Sequence, residues 1–109
     1  MKLEVGNYVR TIDGFLWKPK KIEIDEDGCY LFDDYYYFEP EQIYKSSNNI
    51  IDLIEEGDYV NGTIVTTKTP NKYIELDYGE YRKGCYEEDI KTIVTKEAFS
   101  NAEYRVEND

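Results

Sequence analysis

Hydrophobic and polar residues alternate along much of this chain with a period of two, which is the period of a β-strand. Ile22 and Ile24 alternate with charged residues in the segment 21–25, and a similar alternation runs through 8–12. Three dipeptides favour tight hairpin turns of type I′, in which both central residues have positive φ: Asp13-Gly14, Asp27-Gly28 and Asn61-Gly62. Short alternating runs and strong turn signals predict a mainly β chain.

Two segments carry a helical signal, and both are short. Asn49 is a residue type that caps helix N-termini, so it predicts a helical turn through residues 50–54. Residues 96–102 predict a second turn. Segments of this length form helix only with tertiary support, so we expect them to join or flank strands.

The two halves of the chain resemble each other in sequence. The segment 3–9, LEVGNYV, returns 51 residues later at 54–60 as IEEGDYV. The segment 22–25, IEID, returns at 74–77 as IELD, with one extra residue between the two matches. Matches that keep their order predict an internal duplication.

Each half closes on an aromatic and acidic segment, at 38–43 and at 86–90. The duplication therefore predicts a first repeat at 1–48, and a linker turn with a second repeat at 49–109. A Gly-Asx-Tyr-Val opening, a polar hairpin, further strands and a closing acidic turn resemble SH3-like barrels. This resemblance implies two tandem SH3-like small barrels, each with a 3₁₀ turn in its acidic segment before the last strand.

The whole chain also resembles small proteins encoded by phages and prophages of Gram-positive bacteria. The segments 49–62, NIIDLIEEGDYVNG, and 89–97, DIKTIVTKE, carry most of this resemblance. It implies a phage context, but no activity and no functional residues. In size and acidity the chain is similar to several anti-CRISPR proteins, some of which mimic DNA by presenting carboxylates in phosphate-like rows.

The chain is strongly acidic, with 24 acidic and 13 basic side chains, no histidine and a net charge of −11. The acidity is spread over both halves, because the first 53 residues hold 11 acidic and 6 basic side chains and the rest hold 13 and 7. Such a surface repels nucleic acid and anionic membranes, so we expect neither to bind directly. A partner protein with a basic surface is favoured instead.

The sequence offers no catalytic constellation. General acid–base catalysis most often uses histidine, which is absent, and the chain has no glycine-rich phosphate loop. Two cysteines without histidine are too few for a zinc site. We therefore expect no enzymatic activity, no cofactor and no metal site. Cys29 and Cys85 are interpreted as buried free thiols, with a single bridge between them as the alternative.

Two further segments have competing interpretations. The acidic spacing from Glu23 to Asp34, with Gly28 at its sixth position, is similar to a calcium-binding loop. Because strand patterns flank it where that loop requires helices, a hairpin is favoured. The segment 17–21, WKPKK, is either a basic hook for nucleic acid or a tryptophan that caps one end of the first barrel, with lysines around it. The acidity of the chain favours the second interpretation.

The segment 33–41, DDYYYFEPE, is the strongest candidate for a partner contact. Strand alternation buries one pair, Tyr35 with Tyr37 or Tyr36 with Phe38, and displays the other beside carboxylates. Exposed tyrosines among acidic residues suit a protein interface, in which aromatic rings anchor and charges steer. A strand with a merely solvated outer face is the alternative. The candidate partner-binding residues are Asp33, Asp34, Tyr35, Tyr36, Tyr37, Glu39, Glu41, Glu87, Glu88 and Asp89.

These observations predict a non-enzymatic acidic binding protein. The first hypothesis is a phage-encoded inhibitor, an anti-CRISPR or other anti-defence protein, that binds a basic nucleic-acid-handling host protein, including as a DNA mimic. The alternatives are a sponge for a nucleotide signal and a phage accessory or structural protein that mediates assembly. With no signal peptide and no long apolar run, we expect it in the host bacterial cytoplasm, as a monomer or small homo-oligomer.

Overall fold

The structure, a computed structural model, describes residues 3–69 and 73–102. These residues confirm the prediction of a mainly β chain. Their strands are β1 (Tyr8–Thr11), β2 (Leu16–Trp17), β3 (Ile22–Ile24), β4 (Tyr30–Phe32), β5 (Tyr36–Phe38), β6 (Ile43–Ser47), β7 (Tyr59–Val60), β8 (Thr63–Lys68), β9 (Tyr73–Asp77), β10 (Arg82–Tyr86) and β11 (Ile93–Val94). The helical elements are 3₁₀ turns at Pro40–Gln42, Ile50–Leu53 and Glu87–Asp89, and helix α1 at Lys96–Ala102. None of the helices described has the length and hydrophobicity needed to cross a membrane.

The strands form three antiparallel sheets, in the orders β2-β1-β6, β3-β4-β5 and β10-β9-β8-β7-β11. Within the two described ranges no sheet closes into a barrel, so the finer prediction of two SH3-like barrels stays a proposal. The first half is divided into two sheets because β2 ends just before Pro19, which has no N–H to continue a ladder. In the second half, β8 pairs with both β7 and β9 and keeps one sheet continuous.

The two halves share their strand pairing at the start and at the end. β1 pairs with β2 and β6, and β7 pairs in the same way with β8 and β11. Gly6 and Gly57, which match in the repeat, both have a φ of 95°. The residue after each glycine donates its N–H to a carbonyl three positions earlier: Asn7 to Glu4 at 3.1 Å, and Asp58 to Glu55 at 3.0 Å. A 3₁₀ turn precedes the last strand of each half, as the SH3-like resemblance implies.

Both predicted helical turns are confirmed. Asn49 Oδ1 accepts a hydrogen bond from the Ile51 N–H at 3.0 Å and caps the 3₁₀ turn Ile50–Leu53. The second predicted turn is helix α1. A capping side chain acts over a few positions, and this is why the sequence located the turn after Asn49.

The predicted hairpin turns follow two different geometries. Asn61 and Gly62 both have positive φ, 52° and 82°, so the prediction of a type I′ turn is confirmed there. At Asp13-Gly14 and Asp27-Gly28 only the glycine has positive φ, so that prediction is wrong for both. Positive φ also occurs where it was not predicted, at Asp33-Asp34.

The two corrected turns are three-residue turns closed by a side-chain oxygen. Thr11 Oγ1 accepts from the Phe15 N–H at 3.1 Å, and Asp25 Oδ1 accepts from the Cys29 N–H at 2.9 Å. In each case the same two residues are also joined by a backbone hydrogen bond. A turn of this length requires positive φ at its last residue alone, which is the glycine.

Two hydrophobic clusters of different chemistry support the sheets. The cluster in the second half is aliphatic, and its buried members are Ile51, Ile54, Val60, Val65, Ile74, Leu76 and Cys85. The cluster in the first half is aromatic, and adjacent ring centroids lie 4.7–5.8 Å apart among Phe15, Trp17, Phe32, Tyr36 and Phe38. Trp17 is therefore part of a packed cluster, and the prediction that it caps a barrel stays a prediction.

A buried arginine joins the two halves. Arg10, in β1, donates from both terminal nitrogens to the carboxylate of Asp58, at 2.5 and 3.0 Å, and both side chains are fully buried. It also donates to the Leu53 carbonyl at 2.7 Å and to Glu97 Oε2 in α1 at 2.5 Å. We call these residues the buried seam. An arginine fork meets a carboxylate with two bonds, so the seam fixes the orientation of β1 against the second half.

The sequence analysis missed the buried seam, although the repeat carries a signal for it. At the offset of 51, Arg10 corresponds to Asn61 and Asp58 corresponds to Asn7. Each half thus has one ionisable residue where the other has asparagine, and the two charges are opposite. A second close contact lies nearby, where the Thr95 hydroxyl donates to the Gly14 carbonyl at 2.7 Å and a Cβ at Gly14 would overlap Thr95 Oγ1.

Candidate functional site

The sheet β3-β4-β5, which we call the first meander, has two different faces. Glu23, Leu31 and Tyr37 pair across its three strands, and paired residues of antiparallel strands project to the same side. Phe32 and Tyr36 project to the other side, into the aromatic cluster. The meander therefore has an aromatic inner face and an outer face that carries Glu23, Leu31 and Tyr37.

The tyrosine run alternates between these faces. Tyr36 is half-buried, with its ring centroid 4.7 Å from that of Trp17, whereas Tyr35 is 85% and Tyr37 55% exposed. Of the two pairings left open by the sequence, Tyr35 with Tyr37 is the exposed one. The inner position is fixed by Phe15 and Trp17, whose contact with this strand the local sequence does not reveal.

Asp25 holds the Tyr37 hydroxyl on the outer face. Asp25 Oδ2 accepts from this hydroxyl at 2.9 Å, and Oδ1 accepts from the backbone N–H groups of Asp27 and Cys29. The Cys29 N–H and then the Tyr37 hydroxyl lower the pKa of Asp25. Contact with the Cys29 side chain, and then the bond to Asp25, raise the pKa of Tyr37. A negative carboxylate and a neutral phenol are thus fixed side by side at neutral pH.

Asp33 is bound within the protein and is not free for a partner. Its carboxylate accepts from the Trp17 indole N–H at 2.8 Å and from the N–H groups of Lys20 and Lys21 at 2.9 and 2.8 Å. The bond from Trp17 is the main cause of its lowered pKa. Asp34, beside it in the turn, is exposed and pairs with Lys21 Nζ at 3.0 Å. The structure thus gives the two adjacent acids different roles.

Two carboxylates stand close together at the end of the first meander. Glu39 and Glu41 are exposed on either side of Pro40, at the start of a 3₁₀ turn. The proximity of Glu41 raises the pKa of Glu39. Among the residues described, no lysine or arginine pairs with either group. A cation from outside would relieve the repulsion between them.

We define the acidic face as the outer side of the first meander and its turns, centred on Leu31, Tyr35 and Tyr37. Its seven exposed carboxylates are Glu23, Asp25, Glu26, Asp27, Asp34, Glu39 and Glu41. Among the residues described, one ammonium, that of Lys21, pairs with any of them, contacting Glu23 and Asp34. Most of the negative charge on this face is therefore available to a partner.

The candidate residues fall into separate groups. Asp34, Tyr35, Tyr37, Glu39 and Glu41 lie on the acidic face, and Asp33 and Tyr36 face inward. The second-half acids are exposed in another 3₁₀ turn, with no hydrogen bond or ion pair to the acidic face within residues 3–69 and 73–102: Glu87, Glu88 and Asp89.

Sequence reasoning left five residues of the acidic face out of the candidate set: Glu23, Asp25, Glu26, Asp27 and Leu31. The alternation in 21–25 was a signal for the first two, since it placed Glu23 and Asp25 together on the polar side of β3. What the alternation lacked was the strand pairing. The register of β3, β4 and β5 is needed to bring that side next to Tyr37.

The calcium-loop spacing forms a hairpin, as the favoured interpretation predicted. Residues between β3 and β4 make a turn in which Asp25 binds backbone N–H groups. In the part of the chain that the structure describes, no group of three or more His, Cys, Asp or Glu side chains is placed to hold a metal ion. Cys29 and Cys85 are both buried and unpaired, and burial is the main cause of the raised pKa of Cys85.

Known proteins give no further guidance to the role of this site. No protein-family model, curated protein or solved structure matches the chain. The geometry and charge of the acidic face are therefore the basis on which a function is proposed.

Proposed function

We propose that the protein is a non-enzymatic inhibitor that binds a basic, nucleic-acid-handling surface of a host protein through its acidic face. One observation carries this proposal: two exposed tyrosines, Tyr35 and Tyr37, lie among seven exposed carboxylates of which few are paired. A nucleic-acid-binding surface presents lysine and arginine to phosphates. Carboxylates on a rigid sheet offer such a surface negative charge in a fixed arrangement.

The tyrosines and the carboxylates have separate tasks in this proposal. Charges at the edge of an interface accelerate the encounter, whereas buried aromatic side chains contribute most of the affinity. Tyr37 is already held by Asp25, so little of its side-chain freedom remains to be lost on binding. A partner arginine could stack on its ring and pair with an adjacent carboxylate.

We further propose that the halves 1–48 and 49–109 are tandem SH3-like repeats of a phage-encoded anti-defence protein that acts in the host bacterial cytoplasm. The shared pairing of first and last strands and the matching 3₁₀ turns support the repeat. The phage origin and the anti-CRISPR type of target rest on the sequence resemblance and on acidity. An assembly role remains the competing function, and its partner would be a virion protein.

Affinity capture with matched variants tests the proposal. The first variant, Glu23→Lys with Glu39→Lys and Glu41→Lys, reverses three charges on the acidic face. The control, Glu87→Lys with Glu88→Lys and Asp89→Lys, reverses three exposed charges of the other half. Asp33 is left intact because it holds Trp17, and Asp34 because its φ of 66° disfavours lysine. Lysate of a Gram-positive bacterium supplies the candidate partners, which mass spectrometry identifies.

We expect wild type and the control to retain a host protein that binds nucleic acid and is released by added DNA, and the acidic-face variant to lose it. Capture of a virion protein from infected cells would favour the assembly role instead. Equal retention by both variants, or no retained nucleic-acid-binding protein, contradicts the proposal.

A further inference from the structure

A groove of about 510 Å³ lies between the two halves, away from the outer side of the first meander. Leu16 of the first half, Ile50 of the linker turn, and Ile90 and Ile93 of the second half give it an aliphatic lining. Its volume is in the range of sites that hold small molecules. Both halves therefore contribute to its walls.

Trp17 lines the groove, and its aromatic ring is rigidly held. Its indole N–H donates to Asp33 at 2.8 Å, so the single polar atom of the side chain is already satisfied. Phe15 stacks against it with centroids 5.8 Å apart and planes 12° apart, and Tyr36 packs at 4.7 Å. A ring held in this way can stack on a planar ligand without losing rotamer freedom. Tyr8 adds a second aromatic ring to the lining.

The charges at the groove are unusual for this protein. Lys18 and Lys91 line it together with one carboxylate, Glu87. The Lys18 ammonium lies 5.0 Å from the centre of the Tyr8 ring, and neither lysine forms an ion pair within the described residues. In a chain with a net charge of −11, two ammonium groups against one carboxylate make a locally positive site. A ligand with an apolar ring and a negative charge complements it.

We propose that this groove binds a small molecule in which a flat aromatic ring carries an anionic group. The ring stacks against Trp17, and the anion is held by Lys18 and Lys91. Nucleoside monophosphates and aromatic carboxylates share this chemistry. Glu87 accepts hydrogen bonds from donors on the ligand and repels a ligand that has none.

Fluorescence titration tests the site, because Trp17 is the single tryptophan of the chain and reports on the groove directly. The probes are AMP and benzoate, with adenosine and benzamide as their uncharged counterparts. We expect at least one anion to change the emission with a dissociation constant below about 1 mM, and its neutral counterpart to bind about tenfold more weakly. Binding of AMP without binding of benzoate identifies a nucleotide site, and binding of benzoate without binding of AMP identifies a carboxylate site. Binding of neither anion, or equal binding of the neutral counterpart, overturns the proposal.

Charge variants show whether the lysines of the groove are responsible. Lys18→Gln and Lys91→Gln each weaken binding of the anion about tenfold, because each removes a charge-assisted hydrogen bond. Lys20→Gln, an exposed lysine outside the groove, leaves it unchanged. Glu87→Gln strengthens binding of benzoate, which has no donor for this carboxylate. If Lys20→Gln weakens binding as much as the groove variants do, diffuse charge is responsible and the assigned site is wrong.

Discussion

The buried seam and the acidic face use charged residues in opposite ways. At the seam, Arg10 and Asp58 are fully buried and joined by two hydrogen bonds, and Glu97 pairs with the same guanidinium. On the acidic face, seven carboxylates are exposed, and among the residues described Lys21 is the one ammonium that pairs with any of them, contacting Glu23 and Asp34. A buried pair is strongly destabilising when one partner is removed, whereas an exposed charge contributes little to folding. The seam therefore governs stability, and the face is free to serve binding.

The two three-stranded meanders also differ in the charged and aromatic side chains that they expose. The second meander, β8-β9-β10, places Arg82 opposite Asp77 in the register of β9 and β10. Tyr73 lies against Gly84 and packs on Tyr86 at 5.5 Å, so part of its aromatic surface is covered. Both meanders expose tyrosines, since Tyr78, Tyr81 and Tyr86 of the second are 44%, 61% and 49% exposed. The difference lies in the seven exposed carboxylates that gather on the first meander and its turns. The acidic face therefore belongs to the first meander alone.

Removal of the seam carboxylate is expected to have the largest effect. Asp58→Ala leaves the Arg10 guanidinium buried without its main partner, so we expect the free energy of unfolding to fall by about 3–5 kcal/mol. Urea denaturation followed by circular dichroism measures it. Glu41→Ala, on the acidic face, is the control and should change stability by less than about 0.5 kcal/mol.

A double variant distinguishes charge burial from lost packing at the seam. Arg10→Met with Asp58→Leu removes both charges and keeps apolar volume, so we expect it to be more stable than Asp58→Ala. A fall of less than about 1 kcal/mol for Asp58→Ala contradicts the role given to the seam. A double variant that is less stable than Asp58→Ala would also contradict it.

Adjacent tyrosines provide the next test, since Tyr36 begins β5 and packs inward, whereas Tyr35, in the turn before it, is exposed. Tyr36 packs against Phe15 and Trp17, so Tyr36→Ala should lower the free energy of unfolding by about 2 kcal/mol, less than for a fully buried ring. Tyr35 is 85% exposed, and Tyr35→Ala should change it by less than about 0.5 kcal/mol. Equal effects, measured by thermal and urea unfolding, would show that the two faces are wrongly assigned.

Acid should weaken the protein partly through Glu55, which lies beside the seam. Burial opposes its ionisation, but hydrogen bonds from Lys45, Tyr44 and Lys96 outweigh burial and lower its pKa from 4.5 to about 2. A depressed pKa stabilises the fold above the unfolded value of 4.5, and this contribution disappears as the pH falls towards 2. We expect a loss on the order of 2 kcal/mol, discounted for the partial exposure of the side chain. The measurement is urea unfolding at several pH values in that interval.

Glu55→Gln is the matched variant for the acid series. It cannot titrate, so its stability should be lower than that of wild type at neutral pH and should fall less steeply between pH 4.5 and 2. Parallel curves for the two proteins would mean that other carboxylates, such as Asp25 and Asp33, cause the acid sensitivity.

Sequence reasoning succeeded where the cause is local. Asn49 caps a turn through its own side chain, and the 3₁₀ turn before each last strand lies in an acidic segment of a few residues. It failed where the cause is distant. Arg10 and Asp58 are 48 positions apart, and nothing adjacent to either marks it as buried. Turn geometry was misjudged at Asp27-Gly28 because the oxygen of Asp25 extends the turn by one residue.

The candidate site was predictable in composition and not in orientation. The sequence does not distinguish burial of Tyr35 and Tyr37 from burial of Tyr36 and Phe38, because both pairs are aromatic. Contact with Phe15 and Trp17 decides between them. The sequence also could not show that Asp33 is bound within the protein while Asp34 is exposed, because the indole that binds Asp33 is 16 positions away.

The salt dependence of association tests the central claim most directly. The association rate constant with the captured host protein is measured by surface plasmon resonance across a range of ionic strengths for wild type and the two charge-reversal variants. Steering between opposite surfaces is screened over about 8–10 Å at physiological ionic strength. We expect wild type and the variant of Glu87, Glu88 and Asp89 to associate more slowly as salt rises. The variant of Glu23, Glu39 and Glu41 should associate about tenfold more slowly at low salt, with little dependence on salt. Equal slowing by both variants, or association that salt does not change, contradicts a discrete acidic binding face.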